Sequence, residues 1–388
     1  MNDSRIKVEV HLIQNFAPSN PNLDDTGQPK DATFGGFRRA RISSQCSKRS
    51  IRQLWRERET IPIGERTKLL KARLLPRLRQ EERNDEQIGQ VLDKFLKQFY
   101  SKMDGDKTAV LMFVSGQELD ECVKAINENW SALSQGKEFE SKACKEIGAR
   151  LDNAQLSDDI ALFGRMLAEQ PGRNTDGACQ VAHPISTHKV DMEMDFFTAL
   201  DDLNPAEETG AGMMGVIGFN SACFYRYALV DRDQLARNLA RKTNRKDGKW
   251  TQTLEPIDYE ETDKVIQAFL EAMVYAIPTG KQNSFAAQNL PAFGLFVARQ
   301  DGVPISLANA FAKPVRPTRD DDDLVGLSVT RLTEHWETVK RVYSNQGVIA
   351  TTSFNIVGEG RLNGLKDSDK GSVDGAISAV MEAVKGAQ

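Results

Sequence analysis

The chain of 388 residues has no CxxC pair, four histidines and no long apolar run. Its five cysteines, Cys46, Cys122, Cys144, Cys179 and Cys223, are odd in number and scattered. That excludes a disulfide framework and fits reduced thiols in a cytosolic protein. No stretch approaches the roughly 20 apolar residues of a membrane span, and MNDSRIKVEV at the start lacks an apolar h-region. A cytoplasmic protein with no membrane partner is expected. So few histidines leave little general-base capacity, and no Ser-His-Asp or Cys-His arrangement emerges, so an enzyme is not expected. Hydrophobic residues make up 40% and charged residues 27% of the chain. The composition is that of a folded protein with much polar surface, built as one core with large insertions or as two domains. The net charge of −4 argues against nucleic-acid binding over the whole surface. It permits a confined groove.

One absence is local. Between Ala32 and Arg56 there is no acid, while Arg38, Arg39, Arg41, Lys48, Arg49, Arg52 and Arg56 crowd the same stretch. In a net acidic protein such a block asks for an anionic partner. Gly35-Gly36 reads as a flexible turn, residues 37–42 as a short alternating strand, and Ser43-Ser44 as the N-cap of a helix. In that helix Ile51, Leu54 and Trp55 form an apolar stripe. Gln45, Lys48, Arg49, Arg52 and Arg56 fall on the opposite side. A helix N-terminus with free N–H groups, two hydroxyls and a basic flank suits phosphate. The plain alternative is a solvated basic face, but turn, cap and one-sided charge coincide here.

Elsewhere Ile6, Val8, Val10 and Leu12 alternate with polar residues as in a half-buried strand, and residues 15–28 read as a loop. Residues 57–157 change texture into amphipathic helices, with TAVLMFVS as one strand-like interruption. Strand character returns at 159–166, at 180–190 and in the aromatic run 219–231. Helices are expected at 231–241 and 261–275, joined by a basic loop RKTNRKDGK. AFGLFVAR and PISLANAF look like the last strands and TRLTEHWETVKRVY like a late helix. From Gly347 small and polar residues predict loose packing apart from a terminal helix. This order suits an α+β sandwich of the RRM-like, ferredoxin-like kind with a helical insertion.

Three apparent motifs weaken on inspection. Gly210, Gly212 and Gly215 match GxGxxG, but NPAEET precedes them and a strand follows, whereas a dinucleotide fingerprint follows a strand and opens a helix. The better reading is a glycine-softened hairpin arm over 201–219, exposing Met213, Met214, Val216 and Ile217 for insertion into a partner. A loop folded back on the core is the dull alternative. Cys179, His183 and His188 suggest metal, yet on an extended strand the two histidines face opposite ways, so no zinc is expected. Asp24, Asp25 and Asp31 could hold a divalent ion for phosphodiester cleavage. Carboxylates in a loop rich in Asn and Pro are more often turn residues.

The basic block also carries a resemblance. FGGFRRARISSQCSKRSIR (34–52) closely resembles the FGG-x-RR-x-RISSQ-x-x-KR-x-x-R signature of the backbone subunit of Cascade, the type I-E CRISPR surveillance complex, a subunit called CasC. The resemblance extends in order through GRM (164–166), HPISTHKVD, FYRYA, the GKQ loop (280–282) and LANAF. It implies an RRM-like palm (1–56, 159–200, 220–346), helical fingers (57–158), a β-hairpin thumb (201–219) and a C-terminal tail (347–388). It further implies a non-catalytic subunit that polymerises along the spacer of a CRISPR RNA. Its partners would be that RNA, copies of itself, the target DNA strand through the guide, and the guide-processing, small and large Cascade subunits. No cofactor is implied. The RNA-binding residues would be Arg38, Arg39, Arg41, Ser43, Gln45, Lys48, Arg49 and Arg52, with Lys281 and Gln282 from the GKQ loop. Met166 would pack on a displaced base, with Phe163 standing where the family has a small residue, and Met213 and Met214 would be thumb wedges. Relatives in type III complexes cut RNA with an early-loop aspartate, which makes a metal-dependent ribonuclease the second reading. A general single-stranded nucleic-acid binder outside CRISPR is the third.

Overall fold

The computed structural model describes residues 5–80, 83–137, 139–167, 170–199, 213–246, 249–319, 322–344 and 347–387. They divide into two compact units, one of residues 1–54, 181–229 and 267–388, the other of 55–180 and 230–266. The fold is α+β, with a main sheet whose recorded pairings are antiparallel.

In the first unit the strand order is Glu193–Ala199, Met213–Asp231, Ile6–Ser19, Phe293–Gln300 and Val348–Asn355. Ile6 lies opposite Gln300 and Ile13 opposite Phe293. Ile6–Ser19 is longer than its alternation predicts and is buried on both faces: Glu9 and His11 are as inaccessible as Val8 and Val10. Central strands covered on both sides lose the polar-out pattern. Here Glu9 pairs with Arg299 and accepts from the Ile305 N–H at 2.8 Å, while His11 Nδ1 sits 2.9 Å from the Tyr225 hydroxyl. On one face Phe293, Leu295 and Val297 pack with Val329, Leu332 and Trp336 of helix Leu324–Val342. Each such side chain fully buried contributes roughly 1.5–3 kcal/mol. Strands Phe293–Gln300 and Val348–Asn355 also carry helix Val373–Gly386, which buries Ile377, Val380 and Val384. The expectation of a loosely packed end past Gly347 is therefore wrong. The terminal helix expected there is present, but the small residues hide the strand Val348–Asn355 on which it packs.

The second unit holds the helices Leu70–Leu78, Asp85–Phe99, Gly116–Glu128 and Ser141–Asn153. Leu70, Leu74 and Leu78 meet Ile88, Leu92, Phe95 and Phe99 in one cluster, the i, i+4 spacing of amphipathic helices. Ser115 and Glu118 close a reciprocal cap, and Glu118 also receives Arg165 Nη1 at 2.8 Å with both side chains buried.

Three local expectations fail here. Residues 159–166 lie mostly in a helix, Asp158–Phe163, rather than a strand. Four consecutive apolar residues carry no period, and Ser157 with two acids in the first turn decides for a helix that ends at Gly164 (φ +81°). The basic loop expected after 241 is a hairpin, Arg241–Lys246 with Lys249–Leu254. In the first unit, PISLANAF forms a short 3-10 turn, Ala308–Phe311, whose Phe311 carbonyl accepts from Arg39 of the hairpin. Among the described residues no helix is long and apolar enough to cross a membrane.

Candidate nucleic-acid interface

Asp31–Phe34 and Phe37–Ala40 form the hairpin read from the sequence, turning on Gly35 and Gly36 at φ +61° and +82°. A Cβ on Gly35 would stand 1.9 Å from the Ala312 carbonyl oxygen, so close approach as well as the turn requires glycine. The hairpin's three arginines are held by the fold. Arg38 pairs with Asp31 while remaining half exposed. Arg39 is fully buried and donates to the carbonyls of Ser186 (3.0 Å), Phe311 (2.6 Å) and Ala312 (3.3 Å). Arg41 donates to the Asp31 carbonyl at 3.0 Å and its Nη1 lies 2.9 Å from His183 Nδ1. Burial, then Arg41 and Lys30, hold His183 below the usual imidazole range, so it accepts here as the neutral ring.

Helix Ser44–Arg58 follows, capped by Ser43 Oγ, which accepts from the Cys46 N–H at 3.2 Å. Ile51 and Trp55 are buried, Gln45 and Arg49 are exposed, and Lys48 and Arg52 are half-buried. The stripe and the basic face lie where the periodicity put them.

The early loop at Asn20–Asn22 ties this helix to distant segments. The Ser43 N–H donates to Asn22 Oδ1 at 2.8 Å, and the Cys46 thiol lies 3.8 Å from the Pro21 carbonyl oxygen. From the other side, a Cβ on Gly280 would sit 2.5 Å from that same carbonyl oxygen. So the loop carrying Lys281 abuts the loop that holds the cap of the basic helix. Lys281 is exposed in the left-handed conformation at φ +51°. Gln282 braces the loop instead, donating to the carbonyls of Pro278 (2.9 Å) and Ala287 (3.2 Å). Asn20 Nδ2 also reaches the Gly218 carbonyl at 3.0 Å, and Phe219 lies 5.8 Å, ring to ring, from Phe285. Basic helix, Lys281 loop and arm root therefore meet on one three-residue loop.

The arm is a ribbon in which Glu193–Ala199 pairs with residues 213–219, from Glu193 opposite Phe219 to Ala199 opposite Met213. Most of the 201–219 expectation, including Gly210 and Gly212, lies outside the described residues, as do the side chains of Met213 and Met214. The ribbon's exposed apolar residues include Val216 and, unforeseen, Met194 and Phe196. The alternation in MEMDFFTA was the available signal. Phe197 covers Gly215 across the ladder, where a Cβ would be 2.2 Å from its ring.

Met166 belongs to the second unit and is 84% exposed, which rules out a plain core role. Phe163 stacks on Trp55, with the ring centroids 5.7 Å apart.

Two of the three early-loop acids, Asp24 and Asp31, are engaged, while Asp25 is exposed. Asp24 Oδ1 accepts from the Thr26 N–H (2.9 Å), the Thr26 hydroxyl (2.8 Å) and the Gln28 N–H (2.9 Å). These bonds, the Thr26 hydroxyl first, lower its pKa. Asp31 is the partner of Arg38. His188 accepts from the Cys223 N–H at 3.4 Å and lies 2.8 Å from the Lys189 carbonyl. Among the described residues no three His, Cys, Asp or Glu side chains converge as a metal would require.

Residues 8–382 match the family model described as CT1975-like protein. A solved chain described as CRISPR RNA-guided surveillance complex, pre-nicking, is 27% identical with a TM-score of 0.84, over 97% of this chain and 99% of that one. A second, described as CRISPR RNA-guided surveillance complex, is 23% identical with a TM-score of 0.73 over the same shares, a likeness of fold. No curated protein matches the sequence.

Proposed function

The chain belongs to the CT1975-like protein family, and from that premise we propose that it is a non-catalytic CRISPR RNA-binding backbone subunit of a type I-E, CasC-type Cascade. In this reading residues 1–56, 159–200 and 220–346 make an RRM-like palm, 57–158 the helical fingers and 201–219 the thumb. The protein is cytoplasmic, and copies of it polymerise along the guide spacer beside the guide-processing, small and large subunits. The guide is presented for pairing with target DNA.

The observation that carries this reading is the convergence on Asn20–Asn22 of the basic helix, the Lys281 loop and the arm root. A filament serving every spacer must hold phosphate and sugar without reading bases. Gln45, Lys48, Arg49, Arg52 and Lys281 have the chemistry for backbone contact, with Ser43 at the helix start. Arg39 and Gln282, engaged with carbonyls, position that surface. Met166 and the arm supply apolar groups suited to interrupting base stacking. The similarity at 27% identity to a CRISPR RNA-guided surveillance complex chain supports the assignment.

A wedge that removes one base per subunit leaves regularly spaced guide positions unpaired. Target binding measured with a mismatch walked along the spacer should show periodic tolerance. Each tolerated position forgoes a step worth on the order of 1.4 kcal/mol. A flat profile would reject the wedge.

A further inference from the structure

The early loop holds an amide that plays no part in the interface above. Gln28 is fixed through its main chain: its N–H donates to Asp24 Oδ1 at 2.9 Å, and its carbonyl accepts from the Asp24 N–H at 2.8 Å. The Lys30 N–H donates to the Asn22 carbonyl at 3.0 Å, so this turn belongs to the loop that holds Ser43. The Gln28 side chain makes no hydrogen bond among the described residues, and its Oε1 is covered without a donor.

That amide is placed, not loose. Asn20 Nδ2 donates to the Gly27 carbonyl and to the Gly218 carbonyl, each at 3.0 Å, and so clasps the turn at Gln28 to the arm root. A Cβ on Gly218 would stand 1.7 Å from Gln28 Oε1. Gly218 lies in a paired strand opposite Met194, a backbone open to any residue, so it is the amide that requires glycine there. Gln28 is half-buried, and rotation about its side-chain bonds carries the amide to the surface. The inward position has no hydrogen bond to lose.

The chemistry of a nucleic-acid strand decides what such an acceptor can serve. Phosphate oxygens and the sugar ring oxygen only accept. Base amino groups donate, but a subunit that serves every spacer cannot depend on them. The donor that every RNA nucleotide carries, whatever its base, is the ribose 2′-hydroxyl, and DNA lacks it. The basic helix and Lys281 answer the phosphates. Gln28, tied to the same loop, has the chemistry to answer the sugar.

We propose that the Gln28 amide oxygen accepts a hydrogen bond from a ribose 2′-hydroxyl of the bound strand and makes the subunit select RNA over DNA. Asn20 and Gly218 are positioning residues: one clasps the turn, the other leaves room for the amide. The proposal rests on the backbone-gripping reading and adds to it the sugar that is gripped.

The test titrates the full chain with single strands of one length and base sequence, made as RNA, as 2′-deoxy DNA and as 2′-O-methyl RNA. Wild type should bind RNA about fivefold tighter than DNA, the effect of one hydrogen bond. The 2′-O-methyl strand, which has no hydrogen to give, should bind as weakly as DNA. Gln28→Met, close in size but without the amide, should bring RNA down to the DNA level. Its DNA affinity should stay at the wild-type value, which also shows that the variant is folded. Gln28→Glu keeps an acceptor beside the phosphates, so it should bind both strands more weakly and retain the preference for RNA. A wild type that binds RNA and DNA alike would overturn the proposal while leaving the backbone reading standing. So would a preference that survives Gln28→Met, an equal loss on both strands in that variant, or a preference lost in Gln28→Glu. A wild-type chain that binds no single strand would overturn both.

Discussion

The basic block contains two regions with opposite fates. In the hairpin Arg39 is buried on backbone carbonyls, and Arg38 and Arg41 are held by Asp31 and by His183. In the helix a few residues on, Gln45 and Arg49 stand exposed while the apolar stripe of Ile51 and Trp55 is buried. The charge is the same; the neighbours differ. A hairpin packed edge-on has carbonyls within reach of a guanidinium fork, whereas a helix has already used its own. Local charge density in a sequence therefore cannot by itself separate an arginine that builds a surface from one that offers itself on it.

That comparison breaks most visibly at Arg39. Arg39→Ala strips two buried carbonyls and one part-buried carbonyl of their donor and should lower stability by about 3 kcal/mol. The denaturant midpoint should fall at unchanged slope, while Arg49→Ala should stay within about 0.5 kcal/mol of wild type. If Arg49→Ala destabilised as much as Arg39→Ala, the two regions would not differ as described. Next in size, Lys48→Ala with Arg52→Ala should weaken RNA binding about tenfold or more at low salt, measured by titration. Gly280→Ala tests the shared loop. Its Cβ would force Pro21 away, costing about 1–2 kcal/mol and weakening RNA binding more than Lys281→Ala does. Equal effects of the two substitutions would show that loop placement is irrelevant. The smallest effect concerns His183. Its folded pKa lies below the unfolded value of about 6.5, so its neutral form stabilises the fold above that pH. The contribution is lost as pH falls from 6.5 toward the lower folded value. Arg41→Ala should raise the His183 pKa in an NMR titration, and an unmoved pKa would remove Arg41 as a cause.

Much of this interface is legible in the chain itself. Gly35-Gly36, the Ser43 cap and the stripe of Ile51 and Trp55 are local devices, and their structure follows from local spacing. The strand Phe293–Gln300 and residues 219–231 of Met213–Asp231 announce themselves by their apolar and aromatic residues. What stays hidden is set by neighbours far along the chain. The burial of Glu9 depends on Arg299, the fate of Arg39 on Phe311, and the placing of Lys281 on Pro21. Small-residue segments mislead in the opposite direction. Val348–Asn355 is a sheet strand because Phe293–Gln300 pairs with it, not because its own pattern is strong.

The central claim is that this chain grips an RNA backbone and ignores its bases. It is tested most directly by the salt dependence of binding to two RNAs of unrelated sequence. Each phosphate contact on a single strand contributes a slope of about −0.7 in log affinity against log salt. The account predicts the same affinity and slope for both RNAs, and a slope shallower by about 1.4 for both in Lys48→Ala with Arg52→Ala. Affinity that follows the RNA sequence, or a double variant with an unchanged slope, would contradict it.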